Sequence, residues 1–308
     1  MFLNTYSDQY LLWLFNRQCW TNVTTSARLI ECSQPCTGLS HSNMKPAARL
    51  LMTIMLMGVL CLSVRNPAGS EDASIASMIN IAGLQRMLSQ RIGKAYCQLG
   101  LAVDTEISRR QLHEAIDLFS ANLVKLEDYA ASRPVTDQLQ RVRDLWTPIK
   151  AVAGGPVNLE GAKWVAYWSD DLLFASHKVV QLLQDESNTS HARLVNISGR
   201  QRMLSQRLAK LYMLQVWGVN TLTIQDELET AKNEFTGALA ELEVAPENTD
   251  AINRRLNMVA RDWTWFRKAM NMVDTDPFPK TVADVSETIL VNMHEITRMY
   301  EEQADKAR

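Results

Sequence analysis

The chain of 308 residues carries 32 basic and 34 acidic side chains, has a formal net charge of −2, and is 46% hydrophobic. This hydrophobic content excludes a wholly disordered chain, and the near-neutral charge argues against nucleic-acid binding through bulk positive charge. The length favours two domains, and the small number of glycines and prolines (12 and 9) favours long helices over a turn-rich β fold.

The first 70 residues contain an uncharged apolar segment, 50–64, which follows Lys45 and Arg49. Its length lies between the apolar region of a signal peptide and a membrane-spanning helix, so residues 44–70 are predicted to be a signal peptide or a signal anchor. Residues 1–43 are predicted to be an extension from a misplaced start codon or a cytoplasmic tail. Either way, the basic flank predicts that the following residues are periplasmic, exported or tethered to the inner membrane.

The rest of the chain repeats itself. Residues 80–96 read NIAGLQRMLSQRIGKAY and residues 196–212 read NISGRQRMLSQRLAKLY, so 12 of 17 positions are identical at an offset of 116. A period of this length indicates domain duplication rather than a short-repeat solenoid. The sequence therefore predicts two copies of one domain, residues 71–187 and 188–308.

Apolar residues recur at helical spacing throughout both copies, and loops separate four helices in each. The first copy is predicted to contain helices at 73–102, 105–131, 135–153 and 159–187. The second is predicted to contain helices at 189–220, 223–244, 248–273 and 280–305. Short loops favour antiparallel neighbours, so the predicted fold is all-α, with two tandem antiparallel four-helix bundles. No Pro or Gly occurs from Gln184 to His191, which predicts a long connecting helix shared by the two bundles.

The first helix of each copy carries a heptad-like row of small and apolar residues along one face, which we call the seam. A single arginine interrupts it, Arg86 in the first copy and Arg202 in the second. No acidic residue occurs from Ala73 to Val103 or from His191 to Gln225. A buried charge costs several kcal/mol unless it is paired, so each arginine is expected to meet an anion. A bound planar oxyanion would suit the guanidinium group. Alternatively, carboxylates of neighbouring helices would pair with the arginines as structural ion pairs. Candidates include Asp117, Glu127, Asp170, Asp171 and Glu287.

The two NxxGxQRMLSQR blocks resemble the sensor domain shared by type IV pilus methyl-accepting chemotaxis transducers (PilJ-type) and nitrate/nitrite sensor histidine kinases (NarX-type). This resemblance implies a periplasmic four-helix sensor bundle in which two copies of the motif helix meet and hold one small oxyanion, with nitrate or nitrite as first candidates. The arginine that contacts nitrate in the nitrate sensors corresponds to Arg86 and Arg202. The motif also supplies further candidate ligand-binding residues, namely Asn80, Asn196, Ser89, Ser205, Arg91 and Arg207.

The sequence QRMLSQR is more similar to the pilus-transducer branch of the family than to the nitrate sensors. Receptors of the family continue into a second membrane helix and a signalling module, which this sequence lacks, so we expect signalling through a separate membrane protein in trans. The two seam helices are expected either to pack on each other within one chain or to recruit a second chain in a homodimer. The alternative function is a ligand-free interaction module that docks on a chemoreceptor, a pilus component or itself.

An enzymatic function is not expected. The five histidines include no Glu-x-x-His spacing of the kind that di-iron bundles use. His177 and His294 do not coincide at the offset of 116, which argues against a duplicated catalytic role. No nucleophile elbow or phosphate-binding loop is present, and neither a cofactor nor a metal is predicted.

Overall fold

A computed structural model describes residues 74–129, 132–187, 190–219, 222–272 and 278–306. These residues form eight α-helices and no strand. The helices are α1 (Ile75–Gly100), α2 (Thr105–Asp128), α3 (Arg133–Ala153), α4 (Leu159–Ser187), α5 (Ser190–Val216), α6 (Leu222–Glu243), α7 (Asp250–Met270) and α8 (Pro279–Lys306). The predicted N-terminal extension and signal or anchor segment lie outside the described residues. Among the helices that are described, none combines the length and the hydropathy that a membrane span requires.

Local sequence explains where several helices begin and end. The Ser74 hydroxyl accepts a hydrogen bond of 3.1 Å from the Ser77 amide at the start of α1, and Thr249 caps α7 in the same way through the Ile252 amide. After α1 the chain turns through Ala102 and Asp104, which both have positive φ. This turn separates α1 from α2.

Each group of four helices packs as a bundle. In the first bundle α1 contacts α2 and α4, and α3 contacts α4; the second bundle repeats these contacts with α5 to α8. Equivalent aromatic pairs lie in the two cores, Phe119 on Trp146 and Phe235 on Trp263, each with ring centroids 4.3 Å apart. The predicted all-α fold of two four-helix bundles is confirmed.

The bundles meet through their first helices, because α1 packs directly against α5. A Cβ atom added at Gly93 would lie 2.8 Å from Lys210 Cδ, and one added at Gly100 would overlap the Trp217 ring. Since nearly equivalent residues of the two copies meet at both places, α1 and α5 run parallel, related by a pseudo-twofold axis. The two seam helices therefore pack on each other within one chain.

The predicted connecting helix is wrong. Asn196 of α5 donates a hydrogen bond to Gln184 of α4, and Lys210 of α5 donates to Asp170 of α4. A continuous helix would separate residues 184 and 196 by about 18 Å, at 1.5 Å per residue. Because the pairing moves toward earlier residues of α4 as α5 advances, the two helices are antiparallel and the chain reverses direction between them.

The repeat offset also changes along the chain. Gln85 and Gln201, 116 positions apart, donate to the carbonyls of Phe119 and Phe235, which are again 116 apart. The equivalent indoles, Trp146 and Trp263, are 117 positions apart and donate to Ser120 and Thr236. The second copy therefore has one more residue between its second and third helices, and the offset is 117 from there onward.

Candidate functional site

Two fully buried arginines face each other at the centre of the α1–α5 interface. Arg86 of α1 is 1% exposed and Arg202 of α5 is 0% exposed. Arg86 Nη2 donates across the interface to the Asn196 carbonyl oxygen at 3.2 Å. In the reciprocal contact, Arg202 Nη2 donates to Asn80 Oδ1 at 2.8 Å. We refer to Arg86 and Arg202 together as the arginine pair.

A histidine of the fourth helix in each bundle completes the contacts of the arginine pair. Arg86 Nη1 lies 3.1 Å from His177 Nδ1, and Arg202 Nη1 lies 3.2 Å from His294 Nδ1. Because a guanidinium group only donates, each imidazole must accept at Nδ1 and carry its proton on Nε2. The histidines are therefore neutral partners, which leave the charge of the arginines uncompensated.

Glycine residues let the two guanidinium groups approach the helix backbones. A Cβ atom added at Gly199 would lie 3.1 Å from Arg202 Nη2 and 3.3 Å from Arg86 Nη2. A Cβ atom added at Gly83 would lie 3.4 Å from the same two atoms. Both Nη2 atoms thus lie beside both glycines, so the two positive charges are close neighbours.

No carboxylate of the described residues lies within 4.0 Å of either guanidinium group. The Nε atoms of Arg86 and Arg202 are also buried without a hydrogen-bond partner. The expectation that one of the five candidate carboxylates pairs directly with these arginines is wrong, because Glu127, Asp170 and Glu287 pair with other cations. None of the five candidate carboxylates forms an ion pair with the arginine pair, namely Asp117, Glu127, Asp170, Asp171 and Glu287.

The pKa values reflect this uncompensated charge. Burial, with the positive charges of Arg202 and Arg200, lowers the pKa of Arg86 to about 9. Burial also lowers the pKa of Arg202 to about 10, against the opposing effect of Glu301. Burial and the Arg86 charge lower the pKa of His177 to about 4. At neutral pH the site therefore holds charged guanidinium groups and neutral imidazoles, and an anion would gain from both cations.

Sequence reasoning missed the two histidines as site residues. His177 and His294 are equivalent at the offset of 117, not at the offset of 116 that relates the motif helices. An alignment of the two fourth helices at an offset of 117 residues would have paired the histidines. The same offset pairs Ser169 with Ser286, whose backbone carbonyls accept hydrogen bonds from the equivalent side chains Gln90 and Gln206.

Only some of the residues expected from the motif lie at the arginine pair. Asn80 and Asn196 contact the guanidinium groups directly. The hydroxyls of Ser89 and Ser205 instead donate to the carbonyls of Arg86 and Arg202, one helical turn earlier in their own helices. Arg91 pairs with Glu287 at 2.8 Å and Arg207 with Glu227 at 3.1 Å, so these two arginines are engaged elsewhere.

A second pair of buried cations crosses the same interface further along the helices. Lys94 and Lys210 are fully buried, and each reaches from its own bundle to the other. Lys94 binds Glu287 and the Ser286 hydroxyl of α8; Lys210 binds Asp170 at 2.8 Å and the Ser169 hydroxyl of α4. We refer to these two ion pairs as the lysine layer. In contrast to the arginine pair, each lysine has a carboxylate partner.

The described residues therefore form a duplicated helical bundle around a buried pair of cations. The family model for the N-terminal region of type IV pili methyl-accepting chemotaxis transducers (PilJ) matches the chain twice, over residues 70–163 and 185–288. The chain belongs to this family. The PilJ-type resemblance is confirmed, whereas the comparisons lend no support to the NarX-type assignment. No curated protein and no solved structure matches the chain.

Membership of this family determines the general role of the chain. The PilJ domain is a sensory domain of chemotaxis transducers and does not belong to a catalytic family. Each matched segment contains one motif helix and the two helices that follow it, so both copies derive from the same kind of domain.

Proposed function

We propose that this chain is a sensory module that binds one small oxyanion between Arg86 and Arg202, with nitrate and nitrite as the first candidates. The observation that carries the proposal is the arginine pair itself, two fully buried guanidinium groups that face each other and have only neutral acceptors within hydrogen-bonding distance. Burying such charges without compensation costs several kcal/mol, and a bound oxyanion would remove that cost.

The donor geometry supports an oxyanion in particular. Guanidinium groups suit bidentate hydrogen bonding to planar oxyanions, and the Nε atoms of Arg86 and Arg202 have no partner of their own. An anion that exchanges the neutral acceptors for its own oxygens would bind residues of α1 and α5 together. Because these helices form the contact between the two bundles, binding would change how the bundles pack.

We place this bundle in the periplasm, where PilJ domains of membrane chemoreceptors usually lie. A membrane signalling protein in trans would read the change in helix packing. The alternative of a ligand-free docking module has less support, because α1 and α5 already cover each other's seam at Gly93 and Gly100.

Thermal unfolding of the full-length protein tests the proposal. Nitrate, nitrite, sulfate and chloride are compared at constant ionic strength, and a ligand at one hundred times its dissociation constant should add about 2.7 kcal/mol to the free energy of unfolding. We expect a nitrate- or nitrite-specific stabilisation that disappears when Arg86→Met and Arg202→Met are combined.

Arg193→Met provides the matched control, because Arg193 is an exposed arginine of α5 that pairs with Glu241. This variant should keep the full anion-specific stabilisation. Stabilisation by nitrate and nitrite no larger than that by chloride, or an unchanged response in the double variant, would refute the proposal.

A further inference from the structure

The two halves of the arginine pair differ at one position of the fourth helix in each bundle. Glu301 of α8 and Gln184 of α4 are equivalent at the offset of 117 that also relates the two histidines. Asn80 Nδ2 donates to the Glu301 carboxylate, and Asn196 Nδ2 donates to the Gln184 amide oxygen. One half of the site therefore carries a carboxylate where the other half carries a neutral amide.

The Glu301 carboxylate is coupled to Arg202 through a single amide. Asn80 accepts from Arg202 Nη2 at Oδ1 while its Nδ2 donates to Glu301, so the amide group connects the two charges. In the other half, Arg86 binds the backbone carbonyl of Asn196, and Asn196 Oδ1 is buried without a partner. The negative charge thus acts mainly on one of the two guanidinium groups.

The net charge of the site follows from these contacts. Arg86 and Arg202 contribute two positive charges, Glu301 contributes one negative charge, and His177 accepts hydrogen bonds as a neutral group. Arg200 and Arg298 have acidic partners of their own, in the pairs Arg200–Glu234, Arg298–Glu295 and Arg298–Glu302. Lys178, which acts on His177, and Asp305, which acts on Glu301, carry opposite charges and add nothing to the total. The buried centre therefore carries one positive charge.

We propose that Glu301 makes the site selective for oxyanions that carry a single charge. This inference rests on the oxyanion function proposed above and names the ligand class within it. A singly charged anion balances the site, whereas a doubly charged anion leaves one uncompensated negative charge in a buried interface. Since Coulomb energy is proportional to ligand charge, repulsion by Glu301 is twice as large for a doubly charged anion at the same position.

The test measures binding of perchlorate and sulfate to the full-length protein by calorimetry at pH 8 and constant ionic strength, with nitrate alongside. Perchlorate and sulfate share a tetrahedral shape and differ in charge, so their comparison isolates the charge effect. Glu301→Gln keeps an acceptor for Asn80 and removes the negative charge. We expect about tenfold tighter binding of nitrate and perchlorate and about a hundredfold tighter binding of sulfate.

The reciprocal variant Gln184→Glu places a carboxylate in the other half of the site. We expect this variant to weaken the binding of nitrate and perchlorate by about tenfold and the binding of sulfate by about a hundredfold. Equal changes for perchlorate and sulfate, or unchanged binding in Glu301→Gln, would overturn the role of Glu301 while leaving the proposed oxyanion function intact. A wild-type protein that binds none of the three anions would overturn both.

Discussion

The arginine pair and the lysine layer place fully buried cations in the same helix interface, about 12 Å apart along α1. Lys94 and Lys210 each meet a carboxylate from the opposite bundle. Arg86 and Arg202 meet only neutral acceptors, although the same fourth helices pass beside them. The fold can therefore supply a directly paired carboxylate at this interface and does so, among the described residues, for the lysines and not for the arginines. The comparison indicates that the lysine layer holds the two bundles together, whereas the arginine pair lacks a direct counter-ion, which the proposed oxyanion would supply.

The largest expected effect comes from breaking the lysine layer. Glu287→Gln should lower the free energy of unfolding by about 3 kcal/mol, because Lys94 then remains fully buried without its carboxylate. Urea unfolding of the full-length protein measures the loss. Adding Lys94→Met should recover most of it, and a loss below about 1 kcal/mol would show that the ion pair is not needed for packing.

Removing one member of the arginine pair should lower the free energy of unfolding much less than Glu287→Gln does. Arg86→Met is expected to lower the free energy of unfolding by no more than about 1 kcal/mol, because the loss of hydrogen bonds to Asn196 and His177 is offset by removal of a buried charge that has no carboxylate partner. The same urea experiment without added anion provides the comparison. A loss as large as that of Glu287→Gln would mean that the two cation layers are alike and both structural.

The smallest effect concerns pH and His177, whose pKa is lowered to about 4 by burial and by Arg86, Arg200 and Lys178. The folded state holds this imidazole neutral, so stability is full above pH 6.5 and falls as the pH decreases from about 6.5 to 4. His177→Gln should remove this part of the pH dependence, which we expect to be below about 1 kcal/mol because the ring is partly exposed. Unfolding midpoints followed from pH 8 to pH 4 measure it. Parallel profiles for wild type and variant would contradict the neutral acceptor role.

Much of the fold follows from the sequence, because the helical periodicity and the clear internal repeat both predict four helices in each of two copies. The Arg86 and Arg202 positions were predictable since a charge in a seam of small residues needs a counter-ion wherever the seam is buried. That no carboxylate of the described residues pairs directly with these arginines depends on the side-chain partners of residues far apart in sequence, which the pattern of one helix does not contain.

Two errors have identifiable physical causes. The shared connecting helix was predicted from the absence of Gly and Pro, yet Ser187, Asn188, Thr189 and Ser190 are residues that favour turns by hydrogen bonding to their own backbone. The histidines escaped notice because one extra residue before α7 shifts the offset without disturbing either bundle. A single loop insertion costs little, so repeat offsets need to be examined helix by helix.

The parallel contact of α1 and α5 within one polypeptide has a consequence for signalling. In a receptor made from two identical chains, the amount of assembled binding site depends on how much protein the cell contains. Here the connection through the chain replaces that association equilibrium with an intramolecular one. For the proposed oxyanion site, the fraction of protein with an assembled binding site would then be independent of expression level.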